Sequence, residues 1–508
     1  MCWPEKWLFD KKFGVTTIAK TKIVDIIKRI NYLSEGFEVY AVGGVLRDLL
    51  LSRECNDIDL AVNKNALKYS KKIANAFESR LITLNDTNKT YRIRLKNDVV
   101  ENIDISLFNG ETIEQDLQSR DFTINAMALK LRDFQDFKRR IIFSGNNTLK
   151  DLKSKMINIV SIRAFEIDPL RMLRAFRFAA ELNFGVSQKT FKQVKRDAKL
   201  ICGVAPERIK DEFFRILSIR DSANLIKEMD KCKLISEIFH EIKVMKKASK
   251  KYYYHPGGLF QHSFETLEST EKILNNLKKY FPENHTDFHE HFENSSVFSK
   301  NVTRKGLLKF AAFFHDNAKP ETSKFVNGKM HFLGHEKLGA EKIKKIMRSL
   351  KSSKKDIETV SFLIKYHMRP STLTRNIVVT KKAALRFFRD IGDNVPDILI
   401  LSMSDWHSYK KLETFSPTVL KLQEKSAREL VKYYYELKNA KPLLKIIDGN
   451  VIMKKFNLKP GPWIGELLNF VFEAQQEGKI SKTCEALKLI SLKLMRVKKK
   501  YRISALNI

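Results

Sequence analysis

Acidic side chains are in short supply. The 508-residue chain carries 59 Asp and Glu against 94 Lys and Arg, a formal charge of +35 at pH 7. The excess is spread along the chain rather than confined to one tail. It predicts a polyanionic partner, most simply RNA or DNA, bound in a salt-sensitive way. Cysteine is scarce as well: five residues, at 2, 55, 202, 232 and 484, with no two spaced as Cys-x-x-Cys. That argues against a disulfide framework or a zinc finger, and makes a reducing cytoplasm the default compartment. No run of 18 apolar residues exists, and no lipidation motif is visible. A basic membrane-surface protein is therefore the weaker reading, and no membrane partner is expected. The first six residues lack the charged-then-apolar design of a secretory leader. Internal repeats are also missing.

Strand signals are confined to one end. Short β-branched runs occupy 38–42, 57–62, 80–84, 91–95, 99–108 and 122–130, interleaved with helical patterns that begin at 20–36. After about residue 150 they almost vanish. Helical apolar spacing then marks 169–182, 206–218, 304–314, 335–350, 356–367, 381–391 and 416–437. The stretch 282–303 is polar and aperiodic and reads as a loop. A Pro- and Gly-rich cluster at 458–462 opens the last helical module. The length allows three or four domains, and the pattern is α+β with an α/β part first.

Chemistry concentrates in the first part. An apolar strand ends at Gly43-Gly44, a helix opens, and a strand begins Asp57-Ile58-Asp59. Residues two apart on a strand face the same way. Two such carboxylates repel each other and call for a cation between them. Oxygen ligands favour a hard ion such as Mg²⁺, which also binds substrate phosphates. A glycine turn before a helix exposes backbone N–H groups able to cradle a triphosphate. Strand, Gly-Gly turn, helix and Asp-x-Asp strand, in this order, resemble the class II branch of the nucleotidyltransferase superfamily. That branch holds tRNA CCA-adding enzymes and bacterial poly(A) polymerases.

The resemblance assigns Asp57 and Asp59 to Mg²⁺ and catalysis, and Gly43, Gly44 and Arg47 to nucleotide binding. On the strand pattern 102–108, Asp104 alternates with Ile103 and Ile105. It is a candidate third carboxylate, completing a metal site or serving as general base for a 3′-hydroxyl. The phrase Arg120-Asp121-Phe122-Thr123 is similar to a family motif that contacts the ribose and phosphates. It gives Asp121 to the sugar, where a carboxylate accepts from a 2′-OH, and Arg120 to phosphate or ribose. Ser119 stands where the family has an arginine.

Downstream, Asp168 and Arg171 are three apart, a spacing that places both on one helix face. Cytosine offers acceptors at O2 and N3 and a donor at N4; adenine offers an acceptor at N1 and a donor at N6. One Arg/Asp pair satisfies both bases and mismatches U and G. The family motif is Glu-Asp-x-x-Arg; here Ile167 replaces the Glu. Arg174 and Arg177 follow at steps of three as candidate triphosphate contacts. The phrase 206–217 matches the helix that supports this region in the family.

A second constellation lies at 255–405: His262, His315-Asp316, His335, His367 and Asp405, with Lys319 placed for a phosphate and His331 as a further histidine. It resembles the HD-domain phosphohydrolases, whose imidazole and carboxylate ligands bind one or two divalent metals. Such ligands suit a transition metal without naming it. The competing reading is a purely structural helical body for tRNA.

Taken together, the resemblance implies a nucleotidyltransferase head at 20–150, a helical neck at 151–235, an HD-type domain at 236–415 and a helical tail at 416–508. It implies Mg²⁺-dependent, template-independent addition of C and A to the tRNA 3′ end from CTP and ATP. The alternatives are CC-only or A-only addition, a poly(A) polymerase, or mainly an HD-type metal-dependent phosphohydrolase.

Overall fold

The computed structural model describes residues 17–85, 89–95, 100–136, 140–143, 147–248, 255, 257–293, 298–373, 379–409, 416–439 and 444–501. The N-terminal phrase 1–6 and the start of the expected strand at 99 lie outside them. Two compact units emerge, one dominated by residues 1–247 and the other by the remainder.

The first unit holds a seven-stranded mixed sheet. Its strands are β1 (Val39–Val42), β2 (Asp57–Val62), β3 (Leu81–Asn85), β4 (Thr90–Arg94), β5 (Asn102–Leu107), β6 (Met127–Lys130) and β7 (Ile142–Phe143), in the order β3-β4-β5-β2-β1-β6-β7. Only β2 and β5 run parallel; the other pairings are antiparallel. Alternation fixes which residues reach solvent. Ile58, Leu60, Ile103 and Ile105 are buried on one face, which turns Asp57, Asp59 and Asp104 to the other. The short helix α1 (Gly44–Leu50) leaves β1 through Gly43. At 122–130 the expected strand is shorter: Phe122 makes an isolated bridge to Ile159, Thr123–Asn125 form a 3-10 turn, and β6 joins the sheet.

After the sheet strands in sequence, α2 (Arg171–Leu182) packs on α3 (Pro206–Ser218). Phe165, Phe176, Phe213 and Phe214 are fully buried there, each contributing roughly 1.5–3 kcal/mol of hydrophobic stabilisation. A two-residue parallel pair, Met156–Ile157 with Gly185–Val186, is a strand element beyond residue 150 that the pattern did not reveal.

Among its described residues the second unit is helical apart from one hairpin. Helix α4 (Gly258–Leu274) packs against α5 (Arg304–Phe314) and α8 (Val395–Ser408), and α5 packs on α7 (Lys354–Tyr366). Helix α6 (His335–Ser349) precedes α7. Residues 285–293 form a helix, not a loop, anchored by buried Phe288 and Phe292 four residues apart. Lys324–Val326 and Lys329–His331 pair as a hairpin around Asn327 and Gly328, both at positive φ. The tail has its own core of Ile452, Leu467, Val471 and Ile490. Among the described residues, no helix is long and apolar enough to cross a membrane.

Candidate active site and metal centre

In the sheet, Asp59 stands in register with Asp104 and Asp57 with Asn102. Asp57 Oδ1 accepts from Asn102 Nδ2 at 2.8 Å. Burial first, and the neighbouring Asp104 second, push the Asp59 carboxyl up to about 6, against the pull of Arg120. Its ionised form is thus under-compensated by the protein, which is the electrostatic signature of a cation site. With Asp57 beside it, the donor set is all oxygen and fits a hard divalent ion. Asp104 itself is engaged: its two oxygens accept from Arg92 Nε at 2.7 Å and Nη2 at 2.6 Å.

These carboxylates line a cleft of about 480 Å³ together with Gly43, Gly44, Arg47, Arg120, Asp121 and Arg174. Gly43 has φ +69° and ψ −125°, a conformation that a side chain forbids. A Cβ there would come 2.9 Å from Arg120 Nη1. The Gly43 N–H is taken by the Met127 carbonyl at 3.1 Å. The amides left for a phosphate therefore begin with the first turn of α1, at Gly44.

Every arginine around the cleft is steadied by an acid. Arg47 donates to Asp48 at 2.9 Å and to Asn125 Oδ1 at 2.7 Å. Arg120 holds Asp116 Oδ2 through Nε at 3.0 Å and Nη2 at 2.9 Å. Arg174 donates to Asp121 Oδ2 at 3.0 and 2.7 Å. Arg177 is clasped by Glu212 and Glu181, both at 2.7 Å. Phe178 lies under three of these guanidiniums, 5.3 Å from Arg47, 5.2 Å from Arg174 and 4.2 Å from Arg177. Burial opposes charge on Asp121, yet Arg174 and Asn125 overcome it and hold its carboxyl down at about 2.

Asp168 and Arg171 do not share a helix. Asp168 follows the turn Ala164–Ile167 in extended backbone, φ −147° and ψ 99°, and Arg171 begins α2. Pro169 is the reason, because the residue before a proline is steered out of the helical region. Asp168 Oδ1 accepts the Leu170 N–H at 3.2 Å, and Oδ2 accepts from Arg208 Nη2 at 2.9 Å. Arg171 donates to the carbonyls of Ser119 at 2.9 Å and of Arg120 and Ala164 at 3.4 Å. That links it to the wall of the cleft through Arg120.

In the second unit, four imidazoles and two carboxylates converge. His262 Nε2 lies 3.1 Å from Asp316 Oδ2 and 3.2 Å from both Asp405 Oδ1 and His315 Nε2. His335 Nε2 is 3.3 Å and His367 Nε2 3.9 Å from Asp316 Oδ1. The outer ring nitrogens are anchored: Nδ1 of His315, His335 and His367 meets the carbonyls of Ala312, Phe332 and Ile364 at 2.9, 2.7 and 2.6 Å. A carbonyl only accepts, so Nδ1 carries a proton in each ring, and Nε2 of the neutral ring is the atom left to present a lone pair inward. Asp316 Oδ1, Asp405 Oδ1 and Nε2 of His335 and His367 are buried without a hydrogen-bond partner, while Asp316 Oδ2 faces the Lys319 ammonium. Orphaned ligand atoms of this kind fit a metal ion. Burial and the neighbouring His315 push His367 down to about 3, so it is neutral. For His315, burial disfavours charge, but Asp316 and Asp405 outweigh it and raise it to about 10 without a metal. Lys319 Nζ sits 2.5 Å from Asp316. His331 is exposed on the hairpin.

Three family models match in succession: the poly A polymerase head domain over residues 39–158, the probable RNA and SrmB-binding site of polymerase A over 183–246, and the HD domain over 259–448. The chain belongs to the class II tRNA nucleotidyltransferase and poly(A) polymerase family, with an HD domain. Among its relatives, a CC-adding tRNA nucleotidyltransferase of Thermus thermophilus is 27% identical over 88% of this chain and 92% of its own length. An A-adding tRNA nucleotidyltransferase of Deinococcus radiodurans is 27% identical over 74% of this chain and 78% of its own. The solved Thermotoga maritima CCA-adding enzyme complexed with tRNA has the same fold, with a TM-score of 0.61 at 21% identity, covering 96% of this chain and 98% of that one. Nucleotidyltransferase and HD domains both imply dependence on divalent metal. Within this class II enzyme, Arg92, Asn125, Phe178 and Arg208 escaped the sequence reading. Arg92 had a signal, since strand alternation puts it on the carboxylate face; the others depend on the tertiary fold.

Proposed function

We propose that the head adds C and A to the 3′ end of tRNA from CTP and ATP, releasing pyrophosphate, without a nucleic-acid template, and that it works in the cytoplasm. The observation that carries this reading is the carboxylate row Asp57, Asp59 and Asp104 facing the Gly43-Gly44 turn across an arginine-lined cleft. Asp57 and Asp59 would hold Mg²⁺, which when bound lowers the pKa of the 3′-hydroxyl and neutralises the leaving pyrophosphate.

The protein's own groups do the positioning. The amides from Gly44 onward and Arg47 take phosphate oxygens, and Arg120 stands by the same turn. Asp121 accepts from the ribose 2′-OH, held ionised by Arg174. Asp104 has both oxygens engaged by Arg92, so we take it as a charge that tunes Asp59 rather than as the proton acceptor. Arg177, paired with two glutamates, supports Arg174 from behind through Phe178. Asp168 and Arg171 read the base edge. The 3′-hydroxyl gives its proton to solvent, its oxygen attacks the α-phosphorus, and the bond from that phosphorus to the oxygen bridging to the β-phosphate breaks, so pyrophosphate leaves.

The test is pyrophosphate release coupled to CMP and AMP incorporation into tRNA lacking its CCA end. Asp59→Ala should lower both by more than about a thousandfold while tRNA binding stays within twofold of the parent. Incorporation that survives in Asp59→Ala, or pyrophosphate released without incorporation, overturns the reading.

A second reading accompanies it, on the observation of the orphaned ligand atoms. His262, His315, Asp316, His335, His367 and Asp405 would hold a divalent transition metal, and Lys319 would meet a phosphate oxygen.

A further inference from the structure

The base-reading pair does not hold itself together. Neither Asp168 nor Arg171 contacts the other's side chain within hydrogen-bond distance; each is fixed by a third party. Arg171 hangs from backbone carbonyls, which substitution cannot remove. Asp168 has two supports, the Leu170 N–H and the guanidinium of Arg208 on α3. The residue immediately before it, Ile167, is 58% exposed and has no polar atom to offer from its side chain. The burden of aiming the carboxylate therefore falls on Arg208.

We propose that Arg208 is a positioning residue for nucleotide selection: it fixes the rotation of the Asp168 carboxylate so that a lone pair faces the amino group of cytosine or adenine. The inference rests on the reading of the head as a C- and A-adding enzyme. A carboxylate offers about four acceptor directions. Leu170 and Arg208 occupy one on each oxygen, which fixes the carboxylate plane and leaves one direction on each oxygen open. A fixed acceptor rewards the N4 or N6 donor and repels O4 of uracil or O6 of guanine. One that turns about its Cβ–Cγ bond moves away from an incoming carbonyl oxygen, so U and G are penalised less.

Arg208 meets Asp168 from a side chain that is half exposed, so its loss should leave the fold intact. This separates positioning from stability. The neighbouring exposed pair Arg163–Glu166 supplies a control of similar kind that does not touch Asp168.

The experiment measures kcat and KM separately for CTP, UTP, ATP and GTP on tRNA primers, using the full chain. The parent enzyme, Arg208→Ala, Arg208→Lys and Arg163→Ala are compared. Arg208→Ala should reduce the preference for CTP over UTP, and for ATP over GTP, by about tenfold, with KM for the correct nucleotide rising more than kcat falls. Arg208→Lys, which keeps a cation within reach, should recover part of the preference, and Arg163→Ala should match the parent. If the parent itself shows no preference for C and A, the reading of the head fails. If the parent discriminates and Arg208→Ala keeps its ratios within twofold, the role given to Arg208 is overturned. An Arg208→Ala enzyme that discriminates better would overturn it too, because Arg208 would then be competing with the base for Asp168.

Discussion

Replacing Gly43 by alanine puts two separate penalties on one atom. At φ +69° and ψ −125° the backbone lies where only glycine is at ease, and a side chain there costs about 1–3 kcal/mol. The new Cβ also sits 2.9 Å from Arg120 Nη1. A lone arginine tip would swing away at little cost, but this one is held by two bonds to Asp116. Moving it sacrifices charge-assisted bonds whose loss costs about 1.5–3 kcal/mol. The sum is about 2.5–6 kcal/mol. For a unit of this size each kcal/mol lowers Tm by about 2–4 °C, so the first unit should melt at least about 5 °C lower. Gly44→Ala is the contrast. Its Cβ would meet Arg47 and Asp59 at 3.6 and 3.7 Å, ordinary contact distances, with no positive φ to strain. Stability should stay within about 1 kcal/mol of the parent. Nucleotide KM should rise, because the methyl group stands between the carboxylate row and the helix amides. Calorimetry and steady-state kinetics on the two variants decide the matter. Gly43→Ala with an unchanged melt and unchanged kcat/KM would refute the strain and the role of Arg120 together.

Three further outcomes are expected. Asp121 is held down at about 2 against about 3.9 when unfolded, so its contribution of about 2–3 kcal/mol is present above pH 4 and is lost as pH falls towards 2. Asp121→Asn should therefore destabilise the first unit at neutral pH and flatten its loss of stability between pH 4 and 2; an unchanged acid profile would contradict the pairing with Arg174. In the second unit, Asp316→Ala removes the carboxylate nearest all four histidines. Elemental analysis after dialysis against Mn, Fe, Ni or Zn should register at least tenfold less bound metal, while CMP incorporation is unaffected. Metal retained at the parent's level would exclude the centre.

The head was legible because its residues are constrained by chemistry at short range. Strand alternation alone puts Asp57, Asp59 and Asp104 on one face, and the observed parallel register of β2 and β5 brings Asp59 beside Asp104. The base-reading pair was misplaced because the three-residue spacing of Asp168 and Arg171 was given more weight than Pro169 between them, which breaks the helix they were meant to share. Two elements had signals that went unread. The Asn327-Gly328 dipeptide between apolar residues is a hairpin signature, and Phe288 and Phe292 mark a helical face within a polar stretch. The anchoring of the histidine Nδ1 atoms by backbone carbonyls had no sequence signal, since it depends on where each helix ends. Likewise, that Arg208 reaches Asp168 across forty residues follows from the packing of α3 on α2 and could not be seen in spacing.

The most direct measurement is the sequence of the products made with Mg²⁺ on three tRNA transcripts, ending before CCA, after C and after CC, each given CTP, ATP or both. The account expects every transcript to end at CCA when both nucleotides are present, and the first two to stop at CC with CTP alone. Long A tails, addition confined to C or to A, or no addition with Asp57 and Asp59 intact would contradict it.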